Sequence, residues 1–242
     1  MAPATQTSTA GLQMPRASAA GSPTRRGWVW DWHAKGYAKR PVADEAAYQR
    51  KLKLTQDYLT PDMEVLEFGC GTGTTAFIQA SFVKHITGTD ISRNMIEIAR
   101  AKAEAADVTN VIFQQSSIDD LKAPDAGFDV VMGHSILHLL ENKEAVIAKV
   151  NRVLKFGGVF VSSTPCLKGR VPVLRAILPI GRIFGLLPLV KFVAVEEPEG
   201  DLTAAGFRID LRWQPDESKA VFIAATKADG GDVRTKTMRA SA

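Results

Sequence analysis

The sequence predicts an α/β fold, a doubly wound sheet of about seven strands, mostly parallel with an antiparallel C-terminal strand, and with helices on both faces. Three observations lead to this prediction. Apolar strand-like runs alternate with segments of helical spacing from residue 63 onward, which is typical of parallel crossover units. Runs such as 63–68 and 128–132 are mostly apolar, as expected of strands that are buried on both faces. A glycine-rich turn follows the first run, and turns of that kind form ligand sites in such sheets.

The predicted elements follow in a regular order after a tryptophan-rich stretch near residue 28. Helices are expected at 45–59, 75–83, 94–106 and 141–154, with the last ended by a Phe-Gly-Gly turn at 156–158. The first five strands are expected at 63–68, 86–90, 111–114, 128–132 and 159–163. A short helix ending at 205–206 precedes two more strands, 207–213 and 220–226. Their short connection leaves no room for a crossover helix, so these two strands are predicted to be antiparallel.

The composition is that of a globular domain and gives no sign of nucleic-acid or zinc binding. The chain has 242 residues, of which 45% are hydrophobic and 23% are charged, both ordinary values. The formal net charge is +4, and no basic run is interleaved with aromatic residues, which argues against nucleic-acid binding. The two cysteines do not form a CxxC pair, which argues against a zinc site. We expect no nucleic-acid partner and a cytoplasmic location.

Both ends of the chain have the composition of segments that do not fold. Residues 1–27 are rich in small residues and proline and contain no acid, so a disordered leader is expected. The arginines of this leader leave organelle targeting as an alternative to the cytoplasm. Residues 229–242 are expected to be a disordered tail, which leaves 28–228 as the folded domain.

The turn after the first strand carries Gly69, Gly71 and Gly73 and is preceded by Glu67. Glycine permits a positive φ and removes the Cβ that would block a ligand. The turn lacks the lysine of a phosphate-binding P-loop, and its third glycine comes one position too early for a dinucleotide fingerprint. A carboxylate at Glu67 would repel a pyrophosphate and attract an ammonium group. Asp90, at the end of the second strand, is placed to bind a ribose, so we expect an adenosine-containing ligand that also carries a cation.

The run Glu-Phe-Gly-Cys-Gly-Thr-Gly at 67–73 resembles the first motif of class I S-adenosylmethionine-dependent methyltransferases. Other segments fit that family in order, namely 88–92 with Asn-Met at 94–95, 128–131, 153–158 and 205–207. Two positions depart from the family pattern, since Phe156 stands where proline is common and Ser117 where an acid is usual. The resemblance covers about residues 30–227 and implies a Rossmann-like fold with S-adenosylmethionine as cofactor.

The same resemblance implies which residues contact the cofactor. Glu67 and the glycine turn would bind the methionyl end, and Asp90 would bind both ribose hydroxyls. Ile91 and Met95 would pack on the adenine, while Tyr37 would lie over the sulfonium. Alternatively, Met95 is a core residue and Tyr37 packs on a helix surface. The full predicted set is Tyr37, Glu67, Gly69, Cys70, Gly71, Gly73, Asp90, Ile91, Met95, Ser117, Ile118 and His134.

A general base is needed only when the methyl acceptor must lose a proton. The candidates are His134 and His138, whose spacing of four would place both on one helix face at the mouth of the site. A packing or capping role for His138 is the alternative. The same spacing suits a metal, but no third ligand is evident, so no metal is expected.

The segment 167–197 is predicted to be an insertion that forms the acceptor site or a lid. Its apolar part, 171–195, favours a lid over a small, partly apolar acceptor, with peripheral membrane contact as the alternative. We therefore expect a methyltransferase that acts on a small molecule by in-line displacement. A lipid-headgroup methyltransferase, a non-catalytic cofactor-binding module and, more remotely, a NAD-dependent dehydrogenase are the alternatives. The atom methylated and the oligomeric state stay open.

Overall fold

The predicted apolar runs form the strands of one seven-stranded sheet in the computed structural model, which describes residues 27–166, 189–216 and 219–228. The strands are β1 Glu64–Phe68, β2 His85–Asp90, β3 Val111–Gln115, β4 Phe128–His134, β5 Leu154–Thr164, β6 Phe207–Trp213 and β7 Val221–Lys227. The helices are α1 Gly27–Ala38, α2 Glu45–Gln56, α3 Thr74–Gln79, α4 Arg93–Ala105, α5 Lys143–Val153 and α6 Glu197–Ala204. Two 3₁₀ turns lie at Ala80–Phe82 and Leu137–Leu139.

The sheet order is β3-β2-β1-β4-β5-β7-β6. The first five strands in this order are parallel, and β7 is antiparallel to both of its neighbours. The predicted doubly wound, mostly parallel sheet with an antiparallel C-terminal strand is thereby confirmed. The chain runs from β1 to one side of the sheet and returns through β4 on the other side. Ligands bind beyond the carboxyl ends of strands at such a switch point, so the site should lie beyond β1 and β4.

The two faces of the sheet bury separate apolar layers, because successive side chains of a strand point to opposite faces. Leu66 and Phe68 of β1 pack in the layer that contains the apolar side chains of α5. Val65 of β1 and Met132 of β4 pack in the other layer, with α3, α4 and Leu54 of α2. The N-terminal helices therefore lie on the α3 and α4 side of the sheet, where α1 contacts α4 and α2 contacts α3.

The prediction starts β5 at residue 159, after a turn at 156–158, whereas in the structure the strand starts at Leu154. No turn separates α5 from β5, because Leu154 already pairs with Phe128. The next pair joins Val159 to Val130, so the residues between form a bulge in β5. Gly157 has a φ of +72° in this bulge, a conformation that favours glycine. The Phe-Gly-Gly sequence thus bends a strand and does not end a helix.

Three predicted segments lie wholly or partly outside the described residues. They are the leader 1–27 apart from its last residue, the whole of the tail 229–242, and most of the insertion 167–197 with its apolar part 171–195. Within the described ranges, no helix has both the length and the apolar character needed to cross a membrane.

The ring of Phe113 in β3 packs against bare backbone at two places. A Cβ on Gly88 of β2 would lie 2.6 Å from Phe113 Cδ1, and a Cβ on Gly73 would lie 2.6 Å from Phe113 Cζ. Since Phe113 is only 4% exposed, its ring has little freedom to move aside. Both glycines are therefore required by the packing of the protein itself.

We expect Gly88→Ala to destabilise the fold by about 1–3 kcal/mol, because the added methyl group overpacks β2 against Phe113. Gly200→Ala in α6 is the matched control, since a Cβ there meets nothing within 4 Å. The control should gain up to about 1 kcal/mol, because alanine is the better helix former. Urea unfolding followed by circular dichroism measures both changes. Equal stability of Gly88→Ala and the wild type would contradict this account of the packing.

Candidate functional site

A carboxylate that lacks a full set of partners lies at the carboxyl end of β1. Glu67 is 3% exposed, and its Oε2 has no hydrogen-bond donor among the described residues. Burial raises the pKa of Glu67 to about 8, although a backbone hydrogen bond from Ala76 opposes the rise and the charge of Asp90 adds to it. A buried acid of this kind is suited to a cationic ligand, because an ion pair offsets part of the lost hydration.

The glycine loop 69–73 joins β1 to α3 and is attached to the end of β2. Its three glycines have φ values from +54° to +72°. The backbone N–H of Cys70 donates to the carbonyl oxygen of Thr89 at 2.9 Å. The N–H of Gly71 donates to Asp90 Oδ2, also at 2.9 Å. These contacts fix the loop between the two strand ends from which Glu67 and Asp90 project.

The three loop glycines serve different purposes. A Cβ on Gly69 would lie 2.7 Å from Ile136 Cγ1. Gly73 packs against the ring of Phe113 in β3. The nearest atom to a Cβ on Gly71 is Tyr37 Cε1, at the ordinary contact distance of 3.8 Å. The expectation that missing Cβ atoms admit a ligand therefore suits Gly71, whereas Gly69 and Gly73 are needed for internal packing.

Asp90 accepts a backbone hydrogen bond at each carboxylate oxygen. Gly71 N–H donates to Oδ2 at 2.9 Å, and Ser92 N–H donates to Oδ1 at 2.8 Å. Burial nevertheless raises the pKa of Asp90. A carboxylate offers about four lone-pair sites, so both oxygens can still accept from hydroxyl groups. Glu67 is in register with Gly88, two residues before Asp90, so the two acids lie on the same face of the sheet.

Tyr37 reaches the same site from the C-terminal end of α1. Its side chain is 52% exposed, and its ring lies over Gly71. Partial burial raises the pKa of Tyr37, and the negative charges of Asp90 and Glu67 raise it further. The tyrosine and the two carboxylates therefore surround one space beyond β1 and β2.

Helix α1 is held in place by Asp31, which binds the start of α4. Asp31 Oδ1 accepts from Ser92 Oγ at 2.6 Å and from the backbone N–H of Asn94 at 3.0 Å. The Asn94 side-chain amide donates to the Asp31 carbonyl oxygen at 3.0 Å. Ser92 is also the N-cap of α4 and follows Asp90 closely, so α1 is attached to the rim of the site.

The remaining predicted cofactor residues, apart from His134, lie beyond β2 and β3. Gln115 Nε2 donates to the Ile91 carbonyl oxygen at 3.1 Å, which holds the two loops together. Met95 and Ile118 are 2% and 5% exposed, so both are largely core residues. The Ser117 hydroxyl is engaged in a hydrogen bond of 2.7 Å with a neighbouring aspartate. The structure thus brings all four residues to the Asp90 end of the site, with Ile91 and Ser117 at its surface.

The prediction that the two histidines share a helix face is wrong. His134 is the last residue of β4, where it is in register with Ser163 of β5. His138 lies in the 3₁₀ turn Leu137–Leu139. Ser135, with a φ of +52°, breaks the chain direction between them. The spacing misled because β4 continues two residues beyond the predicted end, and a tight turn follows it.

Both imidazole rings are uncharged at neutral pH. Burial lowers the pKa of His134 and of His138 to about 4, and the positive charge of Lys51 contributes at His134. Nδ1 of each ring is buried without a partner among the described residues. Within 27–166, 189–216 and 219–228, no group of three or more His, Cys, Asp or Glu side chains is placed to hold a metal ion.

A family model described as a methyltransferase domain matches residues 59–179, half of the chain. The chain belongs to the methyltransferase family. It is of the class I, S-adenosylmethionine-dependent type, and its cofactor is S-adenosylmethionine.

Two curated relatives match this methyltransferase over its central part. The uncharacterized methyltransferase YcgJ of Bacillus subtilis (strain 168) is 34% identical over 97 residues, which are 40% of this chain and 38% of that protein. The 27-O-demethylrifamycin SV methyltransferase of Amycolatopsis mediterranei (strain S699) is 38% identical over 96 residues, 39% of this chain and 35% of that protein. The match therefore spans little more than a third of the length of these relatives.

Among solved structures, the [4+2]-cyclase SpnF matches this methyltransferase with a TM-score of 0.69. The match covers 89% of this chain and 100% of the other, at 18% sequence identity. At that level of identity the likeness shows the fold alone.

Sequence reasoning missed two residues around the site of the methyltransferase, namely Asp31 and Tyr48. Tyr48 Oη lies 3.4 Å from Thr75 Oγ1, and its pKa is raised by burial with a contribution from Glu67. Spacing over 45–59 signals a helix, but the spacing alone does not tell which of its polar side chains turns toward the sheet. For Asp31 no local signal exists, because its partners lie about sixty residues later.

We expect Asp31→Ala to loosen α1 and to weaken cofactor binding, because the helix carries Tyr37. Loss of hydrogen bonds to a charged group should lower the free energy that attaches α1 to α4 by about 1.5–3 kcal/mol. Hydrogen exchange of the α1 amides and fluorescence of its tryptophans measure this loosening. Lys35→Ala on the same helix is the control. Unchanged exchange in Asp31→Ala would show that other contacts hold α1.

The stability of this methyltransferase should depend on pH through Glu67. Because the folded-state pKa is raised from 4.5 to about 8, the folded state holds the proton more tightly than the unfolded state. The contribution of Glu67 is therefore fully present below pH 4.5 and is lost as the pH rises through about 8. The loss can reach about 1.4 kcal/mol per pH unit. Denaturation across this range should show a steeper decline for the wild type than for Glu67→Gln, and parallel curves would contradict the assignment.

Proposed function

We propose that this chain transfers the methyl group of S-adenosylmethionine to a small, partly apolar acceptor by in-line displacement. The observation that carries the proposal is the buried, incompletely paired carboxylate of Glu67, which lies across the glycine loop from Asp90. Family membership supports it independently.

Glu67 and Asp90 fit two polar parts of the cofactor, the α-ammonium group and the ribose. Glu67 would accept from the α-ammonium group, which would give its unpartnered Oε2 a charged donor. Asp90 would accept from both ribose hydroxyls while its backbone hydrogen bonds hold the carboxylate in place. Ile91, Met95, Ser117 and Ile118 would border the adenine from the loops beyond β2 and β3.

Tyr37 and Gly71 would enclose the methionyl part of the cofactor. Gly71 presents backbone without a side chain, and the Tyr37 ring lies over it. An aromatic face beside a sulfonium contributes about 0.5–2 kcal/mol of attraction. Tyr37 therefore both covers the cofactor and favours its positively charged form.

When bound, S-adenosylmethionine supplies a methyl group on an excellent leaving group. The protein then has mainly to align an acceptor with that methyl group and to exclude water. Alignment of this kind can lower the barrier by about 7–11 kcal/mol. His134, at the end of β4, is uncharged at neutral pH and is the first candidate to accept a proton from an acceptor that must lose one. His138 is the second candidate for this role.

Named relatives support a small-molecule acceptor, since one of them is a 27-O-demethylrifamycin SV methyltransferase. The lid proposed for 167–197 lies mostly outside the described residues, and so does the membrane-contacting alternative. Neither the described residues nor the relatives favour the lipid-headgroup or the non-catalytic alternative over the small-molecule proposal.

We expect Glu67→Gln and Asp90→Ala each to weaken cofactor binding about 10- to 150-fold, as loss of a charge-assisted hydrogen bond implies. Cofactor binding to the wild type near pH 7 should also release a proton, because the α-ammonium lowers the pKa of Glu67 from about 8. Calorimetry in buffers of different ionisation enthalpy measures both effects. Glu67→Gln should abolish the proton release, whereas the control Glu64→Gln on the same strand should retain it.

Turnover is tested by the release of S-adenosylhomocysteine across a panel of small acceptors. The proposal expects acceptor-dependent release by the wild type and its loss in Asp90→Ala. Cofactor binding without release for any acceptor would contradict the proposal. The result would then favour a chain that uses the fold for other chemistry, as the structurally similar [4+2]-cyclase does by its name.

A further inference from the structure

Two tryptophans and two lysines form a stripe along one face of α1. Positions 28, 32, 35 and 39 are separated by four, three and four residues, which is the spacing of neighbours on one face of a helix. Trp28 and Trp32 are 54% and 67% exposed, and Lys35 and Lys39 are exposed as well. Lys39 follows directly on the last residue of the helix, so the stripe runs the whole length of α1. We call these four residues the outer stripe of α1.

The other side of α1 packs on the protein itself. Val29 and Ala34 are 6% and 0% exposed. Tyr37 lies half a turn round the helix from the outer stripe, and its ring lies over Gly71 at the proposed cofactor site. Because the contacts of Asp31 fasten α1 to α4, the helix is held with its outer stripe toward solvent.

The described part of the chain leaves both indole rings of the outer stripe uncovered. Trp28 and Trp32 border an open cavity of about 430 Å³, whose other lining residues are Asp31, Lys35 and Asn94. A tryptophan presents about 150–250 Å² of surface for burial, so two of them in water carry a cost that a partner removes. Contiguous exposed aromatic surface of this kind marks a place of contact with a protein or a membrane.

The surroundings of the outer stripe are positively charged. Along α1 and the turn after it, the cations are Lys35, Lys39 and Arg40, and the one acid is Asp31. None of the three cations forms an ion pair within the described ranges, whereas the carboxylate of Asp31 already accepts two hydrogen bonds. The outer face of α1 therefore offers three unpaired cations beside two exposed aromatic rings.

Charge distinguishes three occupants that would cover this face. The preceding segment, residues 1–26, contains no acid and includes Arg16, Arg25 and Arg26, so it would leave the lysines unpaired. A second copy of the chain in a two-fold contact would bring the same cations together. An anionic partner pairs with all three cations and is favoured by the charges on the page of this helix.

The tryptophans favour a lipid surface among anionic partners. Indole rings concentrate at the level of the lipid headgroups, where the ring is in apolar surroundings and its N–H stays hydrated. Lysine stems lie along apolar surface while the ammonium group reaches the phosphates. A straight helix with both residue types on one face fits a flat interface, whereas a folded protein partner would need two pockets one helical turn apart.

We propose that the outer stripe of α1 binds the surface of an anionic lipid membrane. The helix lies parallel to that surface, with its indole rings among the headgroups and with Lys35, Lys39 and Arg40 beside the lipid phosphates. The site beneath Tyr37 then lies one helix diameter, about 10 Å, from the lipid. A partly apolar acceptor that dissolves in the membrane is thereby concentrated next to the enzyme. Lipid binding itself does not depend on methyl transfer, so it is tested apart from the proposed function.

Co-sedimentation of the full chain with lipid vesicles tests the contact. Vesicles of phosphatidylglycerol mixed equally with phosphatidylcholine are compared with vesicles of phosphatidylcholine alone. The wild type should bind the anionic vesicles at least about tenfold more tightly, and added salt should weaken this binding. Lys35→Gln/Lys39→Gln should bind them about 25-fold more weakly, since each cation near an anionic surface contributes about fivefold. Trp28→Ala/Trp32→Ala should bind them at least about tenfold more weakly, because two apolar contacts are lost.

Two control variants remove the same residue types from other surfaces of the protein. Phe156→Ala removes an aromatic ring that is 68% exposed in the bulge of β5, and Lys53→Gln removes an exposed cation from α2. Both controls should bind the anionic vesicles within about twofold of the wild type. Circular dichroism should be the same for all variants, since every changed side chain is exposed.

Fluorescence quenching by lipids with brominated acyl chains shows whether the indole rings touch the membrane. The wild type should be quenched on anionic vesicles. Trp28→Phe/Trp32→Phe retains Trp30 and Trp213 and keeps an aromatic contact. It should therefore bind the vesicles and be quenched much less than the wild type.

The inference is overturned if the wild type does not bind anionic vesicles, or if the variants of the outer stripe bind them as the wild type does. Dimerisation in lipid-free buffer that is lost in these variants would assign the stripe to a second copy. Shielding of Trp28 and Trp32 from acrylamide in the lipid-free monomer would assign it to residues 1–26. An affinity for polyglutamate equal to that for anionic vesicles would assign it to an acidic protein.

These results are distinguishable from a failure of the proposed function. Vesicle binding through the outer stripe by a chain that releases no S-adenosylhomocysteine with any acceptor refutes methyl transfer and leaves the membrane contact standing. Should Trp28→Ala/Trp32→Ala fail to fold, Lys35→Gln/Lys39→Gln decides the test alone.

Discussion

The burial of the Glu67 carboxyl group at the end of β1 sets the electrostatic character of the site. Glu67 lies under the start of α3, near Asp90 and out of contact with bulk water. A charge in such a place is unfavourable until an opposite charge enters, which makes the site selective for ligands that bring a cation. The backbone N–H of Gly71 in the loop donates to Asp90 and so holds the second acid close by. The polar geometry of the site is thus built before any ligand binds.

The glycine loop shows that one sequence motif can meet several physical requirements. All three glycines adopt conformations that other residues avoid. Two of them also give space to protein side chains, Ile136 at Gly69 and Phe113 at Gly73. Only Gly71 combines the backbone conformation with a face toward Tyr37. The core packing of β2 and β3 and the shape of the site are therefore connected through Phe113.

Sequence reasoning reached the fold because its signals are local. Apolar runs, helical spacing and the turn residues each act within about ten positions, and their alternation leaves few topologies open. The two site carboxylates were found for the same reason, since Asp90 ends β2 and Glu67 is the last residue but one of β1. The helix assumed for His134 and His138 failed because a spacing of four cannot distinguish a helix from a strand end followed by a tight turn. Asp31 was missed because its partners Ser92 and Asn94 are distant in the chain.

The attachment of α1 to α4 has a kinetic consequence for the site. Asp31 binds Ser92 and Asn94, and Ser92 in turn donates its backbone N–H to Asp90. The helix that carries Tyr37 is therefore fastened to the same turn that holds the proposed ribose-binding acid. If a ligand beneath Tyr37 departs by lifting of this helix, its residence time is governed by how often the Asp31 contacts break. Product departure and helix opening would then be one event with one rate.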